Sequence, residues 1–131
     1  MGQKVHPIAF RLGFIKDWKS SWFNIVRYKQ FLKEDINIRE FLNKKLSRTS
    51  AIERIDIERA VNTINIIIHT ARPGILIGRG GMGVEKVKKE IESIVFKSRK
   101  SLKDFKMPEI RIEVREVRHP ETFASLLSYE V

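Results

Sequence analysis

The sequence predicts an α+β fold, with helices packed on a small mixed sheet. Three observations predict it. Apolar residues recur at three- and four-residue spacing over 24–47 and again over 84–99, the period of a helix with one buried face. They alternate with polar residues over 52–59, 63–70 and 109–117, the period of a strand. Between the second strand and the second long helix lies Arg72–Gly83, which holds five of the chain's seven glycines.

Residues 1–20 show no clean period. Lys4, Arg11, Lys16 and Lys19 are interspersed with Phe10, Leu12, Phe14 and Ile15, which reads as an extended basic arm with apolar anchors that lies along RNA or a neighbouring protein. A frayed terminus is the competing reading. Ser20 and Ser21 offer an N-cap before Trp22 and Phe23. In the helical stretch 24–47, Val26, Phe31 and Leu32 form one apolar group, and Ile38, Phe41, Leu42 and Leu46 form another. Asn37 followed by Glu40 resembles a capping box, so a kink or restart is expected near 35–37. Lys44, Lys45 and Arg48 crowd the helix end, where cations suit the dipole and are also placed to meet phosphate.

Ile55 and Ile57 share one face of the first strand, opposite Arg54, Asp56 and Glu58. After a turn at 60–62, Ile64, Ile66 and Ile68 share the core face of the second, and an antiparallel hairpin is the simplest pairing. His69 stands on the polar face with no second ligand or catalytic partner in view. In the second helix Val84, Val87, Ile91, Ile94 and Val95 make the buried stripe, and Glu85 with Lys89 is a favourable spacing for an ion pair. Lys86, Lys88, Lys89, Lys97, Arg99 and Lys100 make that helix strongly basic. A polar link over 97–106 precedes the third strand, whose core face is Ile110, Ile112 and Val114. Pro120 then takes the first position of a last helix, with Phe123, Leu126 and Leu127 on its apolar side. The expected division is a basic arm at 1–20, a domain at 21–118, and over 119–131 the beginning of a helix leading into something larger.

The glycine stretch carries the chemistry. Glycine lets the backbone take positive φ and approach a partner closely. Arg72 and Arg79 supply charge, and a helix start just after the loop favours an anion. Gly78, Gly80 and Gly83 spell the dinucleotide pattern G-x-G-x-x-G, but only Ile75–Ile77 precede it, behind Pro73-Gly74, which makes a poor central strand. The Walker pattern fails, because no Gly-Lys-Ser or Gly-Lys-Thr occurs. Gly78-Arg79-Gly80-Gly81 also reads as G-x-x-G, the loop with which KH domains clamp single-stranded nucleotides by their backbone. The bland reading is a helix–turn–helix corner that simply needs glycine. Ile75 and Ile77 are candidates for an apolar groove floor, with plain core as the competing role.

Charge narrows the partner. Lys and Arg number 26 against 16 acids, net +10 on 131 residues, which calls for a polyanion. There is no cysteine, so disulfides and thiolate metal sites are excluded. No apolar run is long enough to span a membrane. The first residues lack the apolar stretch of a signal peptide, and His6 stands where myristoylation wants Ser or Thr. No acid/base pair beside a nucleophile stands out, so no catalytic residue, metal or cofactor is expected.

The element order is helix, strand, strand, short turn of helix, glycine loop, helix, strand. This α-β-β-α-α-β order is the type II KH arrangement, with a three-stranded mixed sheet. The residues also carry a closer resemblance. Met1-Gly2-Gln3-Lys4-Val5-His6-Pro7, Arg11-Leu12-Gly13, Ile57-Glu58-Arg59, His69-Thr70-Ala71-Arg72-Pro73-Gly74-Ile75-Leu76-Ile77-Gly78, and Glu116-Val117-Arg118 with Pro120-Glu121 resemble the bacterial-type ribosomal protein S3 (uS3) family over nearly the whole chain. The resemblance implies a structural rRNA-binding protein of the small-subunit head, on cytoplasmic ribosomes of bacterial or organelle type. It implies S10 and S14 as neighbours and mRNA as a further candidate partner. Two departures stand out: the 97–106 link is longer than the family's, and the family carries a second, C-terminal α/β domain that would begin where this chain ends. The residues credited with gripping mRNA lie largely in that part, so an mRNA role is expected to be reduced or absent here. The residues expected to meet RNA are Arg72, Gly78, Arg79, Gly80, Gly81, Lys86 and Lys89 at the glycine loop, with Lys4 and Arg11 on the arm. The rival readings are a free-standing KH-domain regulator of RNA and a nucleotide-dependent enzyme.

Overall fold

The structure is a computed structural model that describes residues 2–102 and 106–130, without the side chains of Ser47, Arg48, Tyr129 and Glu130. The expectations placed on Arg48, on residues 103–105 of the link and on the end of the last helix at Val131 fall outside that set. The elements run α1 (Pro7–Phe10), β1 (Ser20–Ser21), α2 (Tyr28–Ser50), β2 (Ile52–Arg59), β3 (Thr63–Thr70), α3 (Pro73–Ile77), a 3₁₀ turn (Arg79–Gly81), α4 (Met82–Arg99), β4 (Glu109–Glu116), a 3₁₀ turn (Pro120–Thr122) and α5 (Ala124–Glu130).

The sheet has the order β1-β2-β3-β4. β2 and β3 form the expected antiparallel hairpin, with Ile55 opposite Ile68 and Ile57 opposite Ile66. β4 lies parallel to β3, with Ile110 beside Ile64 and Ile112 beside Ile66. Parallel pairing requires a crossover, and α3, the glycine loop and α4 supply it. Both ends of this ladder are extended, by Glu109 N–H donating to Asn62 O (2.8 Å) and Val117 N–H to Thr70 O (2.8 Å).

The sheet has one strand more than expected. Ser20 and Ser21 do not cap a helix; they form β1, parallel to β2, with Ser20 beside Ile57. Arg39 fixes this edge by donating to Ser20 Oγ at 2.7 Å, to Lys19 O at 2.9 Å and to Ile55 O. The helix start therefore moves on to Tyr28, where Asn24 Oδ1 accepts the Arg27 N–H at 2.9 Å.

One core joins the helices to the sheet: Ile38 and Leu42 of α2, Leu76 of α3, Val87, Ile91 and Val95 of α4, and the inward isoleucines of β2, β3 and β4. The α2 helix runs unbroken through 35–37, against the expected restart. Glu34 and Asp35 look like solvent-facing polar residues in sequence but are buried. Arg59, at the end of β2, donates to Glu34 Oε2 at 2.9 Å and to Asp35 Oδ1 at 2.5 and 3.0 Å. Arg99, at the end of α4, grips both oxygens of Glu34 at 2.8 and 3.2 Å. Trp22 Nε1–H donates to Asp35 Oδ2 at 2.7 Å. The Phe31 ring lies 4.6 Å from the Arg59 guanidinium and 5.5 Å from that of Arg99. The inner face of α2 thus changes from carbon to paired charge and back, and that change mimics a helix break in the periodicity.

Candidate nucleic-acid interface

The glycine stretch forms the corner between α3 and α4. Pro73 starts α3, where its missing N–H costs nothing, and Gly78 N–H closes it on Gly74 O at 3.0 Å. Three glycines then turn the chain with positive φ: Gly78 at 71°, Gly80 at 61° and Gly81 at 77°. Non-glycine residues enter this region at a steric cost.

The corner has a packed neck and an open tip. A Cβ on Gly83 would lie 2.5 Å from Leu76 O and 3.0 Å from Ile77 O, so α4 approaches α3 closely only because that residue is glycine. Gly78 is nearly as tight, 3.1 Å from Gly83 N. A Cβ on Gly80 or Gly81 would meet nothing within 4 Å. The G-x-G-x-x-G match therefore divides, with Gly78 and Gly83 needed for packing and Gly80 and Gly81 left as bare, accessible main chain. What precedes the corner is a short helix rather than a strand, which removes the dinucleotide reading, since that fingerprint sits on a strand-to-helix turn.

α4 begins at Met82 with no side-chain cap, its N-cap Gly81 being left-handed. Met82 N–H donates to Arg79 O within the turn, and the positive end of the α4 dipole faces the corner. Arg79 is exposed at the tip and Arg72 at the base, with Lys86 and Lys89 exposed on the first turns of α4. Among the described residues none of these four side chains enters a hydrogen bond or ion pair. One acid, Glu85, stands among them; it forms no pair with Lys89. Glu90 instead pairs with Lys45 of α2.

Leu76 is the α3 residue that joins the core, while Ile75 (56% exposed) and Ile77 (39%) face outward. The plain-core role is thus excluded for these two, and they border the corner as apolar surface. Arg99 leaves the set of accessible cations, because it is buried against Glu34. His69 Nε2 lies 3.2 Å from Asp56 Oδ2 and 3.4 Å from Arg54, an arrangement that tethers the outer face of the sheet. Among the described residues no group of histidines and acids has the makings of a metal site. Among the described residues no helix is long and apolar enough to cross a membrane.

Arg72, Arg79, Gly78, Gly80, Gly81, Lys86 and Lys89 therefore share one corner. Lys4 and Arg11 do not join them. They belong to the arm, which meets the sheet through β1, at the edge opposite β4. Arg11 donates to Pro7 O at 2.9 Å, closing the single turn of α1. The arm's apolar residues are not anchored on this chain: Phe10, Phe14, Ile15 and Trp18 are 70, 92, 79 and 64% exposed.

A model of the KH domain family matches residues 37–122. Over all 131 residues the chain is 46% identical to small ribosomal subunit protein uS3 of Myxococcus xanthus, covering 54% of it, and 47% identical to that of Pelobacter propionicus, covering 57%. It is 41% identical over 128 residues to uS3 of Lactobacillus acidophilus, covering 52%. The chain thus spans about half the length of the curated relatives it matches.

Proposed function

Because the chain belongs to the KH domain family and matches the bacterial-type uS3 pattern from end to end, we propose that it is a structural rRNA-binding protein of the small ribosomal subunit head. The observation that carries this reading is the corner at 78–81, where bare main chain, an uncapped helix start and four unpaired cations meet on one exposed surface. RNA is held there by its phosphates and its backbone shape, and no bond is made or broken. Gly80 and Gly81 admit the strand, the α4 N–H groups donate to a phosphate oxygen, and Arg79, Arg72, Lys86 and Lys89 neutralise the run on either side.

The arm is a second, separate contact. Its lysines and Arg11 follow rRNA, while its exposed aromatic residues press on neighbouring ribosomal proteins, S10 and S14 in this reading. We assign no grip on mRNA to residues 1–131. The setting is a ribosome, in the bacterial cytoplasm or in an organelle.

Co-sedimentation tests the reading. The chain should pellet with small subunits at moderate salt, and Arg79→Asp with Gly80→Asp should reduce the pelleted fraction without lowering the unfolding midpoint to the point where the fold is lost. A chain that binds free RNA but never enters subunits would point instead to a free-standing KH regulator. A saturable nucleotide titration would point to the enzyme class.

A further inference from the structure

The far end of α4 carries a second surface fit for RNA. Eighteen residues at 1.5 Å each place it about 27 Å from the glycine corner. There the end of β2, the turn before β3, the start of α2 and residues 22–24 ahead of it enclose a cleft of about 900 Å³. That is within the size range of pockets that take a small ligand, roughly 300–1,000 Å³.

Among the described residues its wall has aromatic surface and cations but no carboxylate. Arg59 and Arg99 line the floor, and the buried Glu34 and Asp35 beneath them cancel their charge. Arg27 and Lys106 at the rim are exposed and have no such partner among the described residues, so the cleft is net positive. Trp22 is held by its bond to Asp35, by an edge contact with Phe31 (5.6 Å) and by a tilted contact with Tyr28 (5.4 Å). Phe23 beside it is 87% exposed, an aromatic face with no counterpart in the fold. Aromatic platforms flanked by cations take unpaired bases with little regard to sequence.

We propose that this cleft is a second RNA site, in which an unpaired base stacks on Phe23 and Trp22 while its flanking phosphates lie on Arg27 and Lys106. It rests on the reading of the chain as an RNA binder, but not on the glycine corner. The two sites at the ends of α4 grip one RNA at two places, one by its backbone and the other by an exposed base.

The chain has two tryptophans, so Trp18→Phe leaves Trp22 as the sole reporter. In that background the chain is titrated with a single-stranded oligouridylate and with a duplex RNA of equal length, following anisotropy for binding and Trp22 emission for the cleft. The single strand should quench Trp22 and the duplex should not. Phe23→Ala with Arg27→Gln and Lys106→Gln, all at exposed positions, should abolish the quench, weaken binding about tenfold and lower the salt slope by about two. Arg79→Gln should weaken binding and leave the quench at saturation. RNA binding with Trp22 undisturbed, or with the triple variant equal to its parent, overturns the cleft and leaves the RNA reading standing. Equal quenching by the duplex overturns the unpaired base. No RNA binding at low salt overturns the RNA reading and the cleft with it.

Discussion

Two pairs of arginines stand at opposite ends of α4. Arg59 and Arg99 are buried, each paired with carboxylates at 3.2 Å or less. Arg72 and Arg79 are exposed, and neither side chain has a partner among the described residues. The first pair is structural: charges taken out of water persist only when their hydrogen bonds are met, and removing one partner leaves the others stranded. The second pair costs the fold little to keep or lose, so its placement around bare main chain speaks of a partner outside. In a chain of net charge +10, the useful question about each cation is therefore whether the fold already satisfies it.

The contrast breaks most visibly at Glu34. Glu34→Ala strands Arg99 and leaves Arg59 paired with Asp35 alone, and the urea midpoint should report a loss of about 3–5 kcal/mol. RNA affinity of the remaining folded protein at the glycine corner should be unchanged. A loss under about 1 kcal/mol would mean that the buried network does not hold the fold.

The corner's own glycines give the next effect, and they sharpen the comparison. Gly83→Ala drives a methyl into the α3 backbone, so it should cost about 1–3 kcal/mol and also spoil RNA binding, because the corner opens. Gly80→Ala meets no atoms and carries only the left-handed penalty, roughly 1–2 kcal/mol. Thermal unfolding of the two should differ in that order.

Arg79→Gln should move stability by no more than about 0.5 kcal/mol, yet lower the slope of log affinity against log salt by about one. An unchanged slope would remove Arg79 from the contact. The smallest effect belongs to acid. The hydrogen bond from Arg111, and then its charge, hold the Glu109 carboxyl below the ordinary 4.5. Such a pair stabilises above the unfolded-state pKa and loses that contribution as pH falls through the depressed one. Both side chains are largely exposed and screened by solvent, so Arg111→Gln should leave the acid limb of the stability curve unaltered.

What the sequence made legible follows the same contrast. Strands β2, β3 and β4 were plain because isoleucine or valine recurs at alternate positions facing one core, although β3 also buries Ile67 between Ile66 and Ile68. The α4 stripe was plain too, though the helix starts at Met82, two residues earlier than its apolar pattern. The α2 helix misled because Glu34 and Asp35 are polar and buried, and nothing local marks Arg59 and Arg99 as their partners, 25 and 65 residues from Glu34. Strand β1 was hidden because two serines have no period; tertiary pairing with β2 alone makes them a strand. At the corner, residue identity marked the candidate, but only the backbone separated the packing glycines from the accessible ones. The cleft was invisible, since Lys106 meets Phe23 and Arg27 from a distant part of the chain.

Amide chemical shifts, followed while RNA is titrated into the isotopically labelled chain, test the central claim most directly. The amides of Gly80, Gly81, Met82 and Gly83 should move furthest and saturate together, while those of Ile66–Ile68 in the central strand stay still. RNA that binds tightly and leaves those four amides in place would contradict the account.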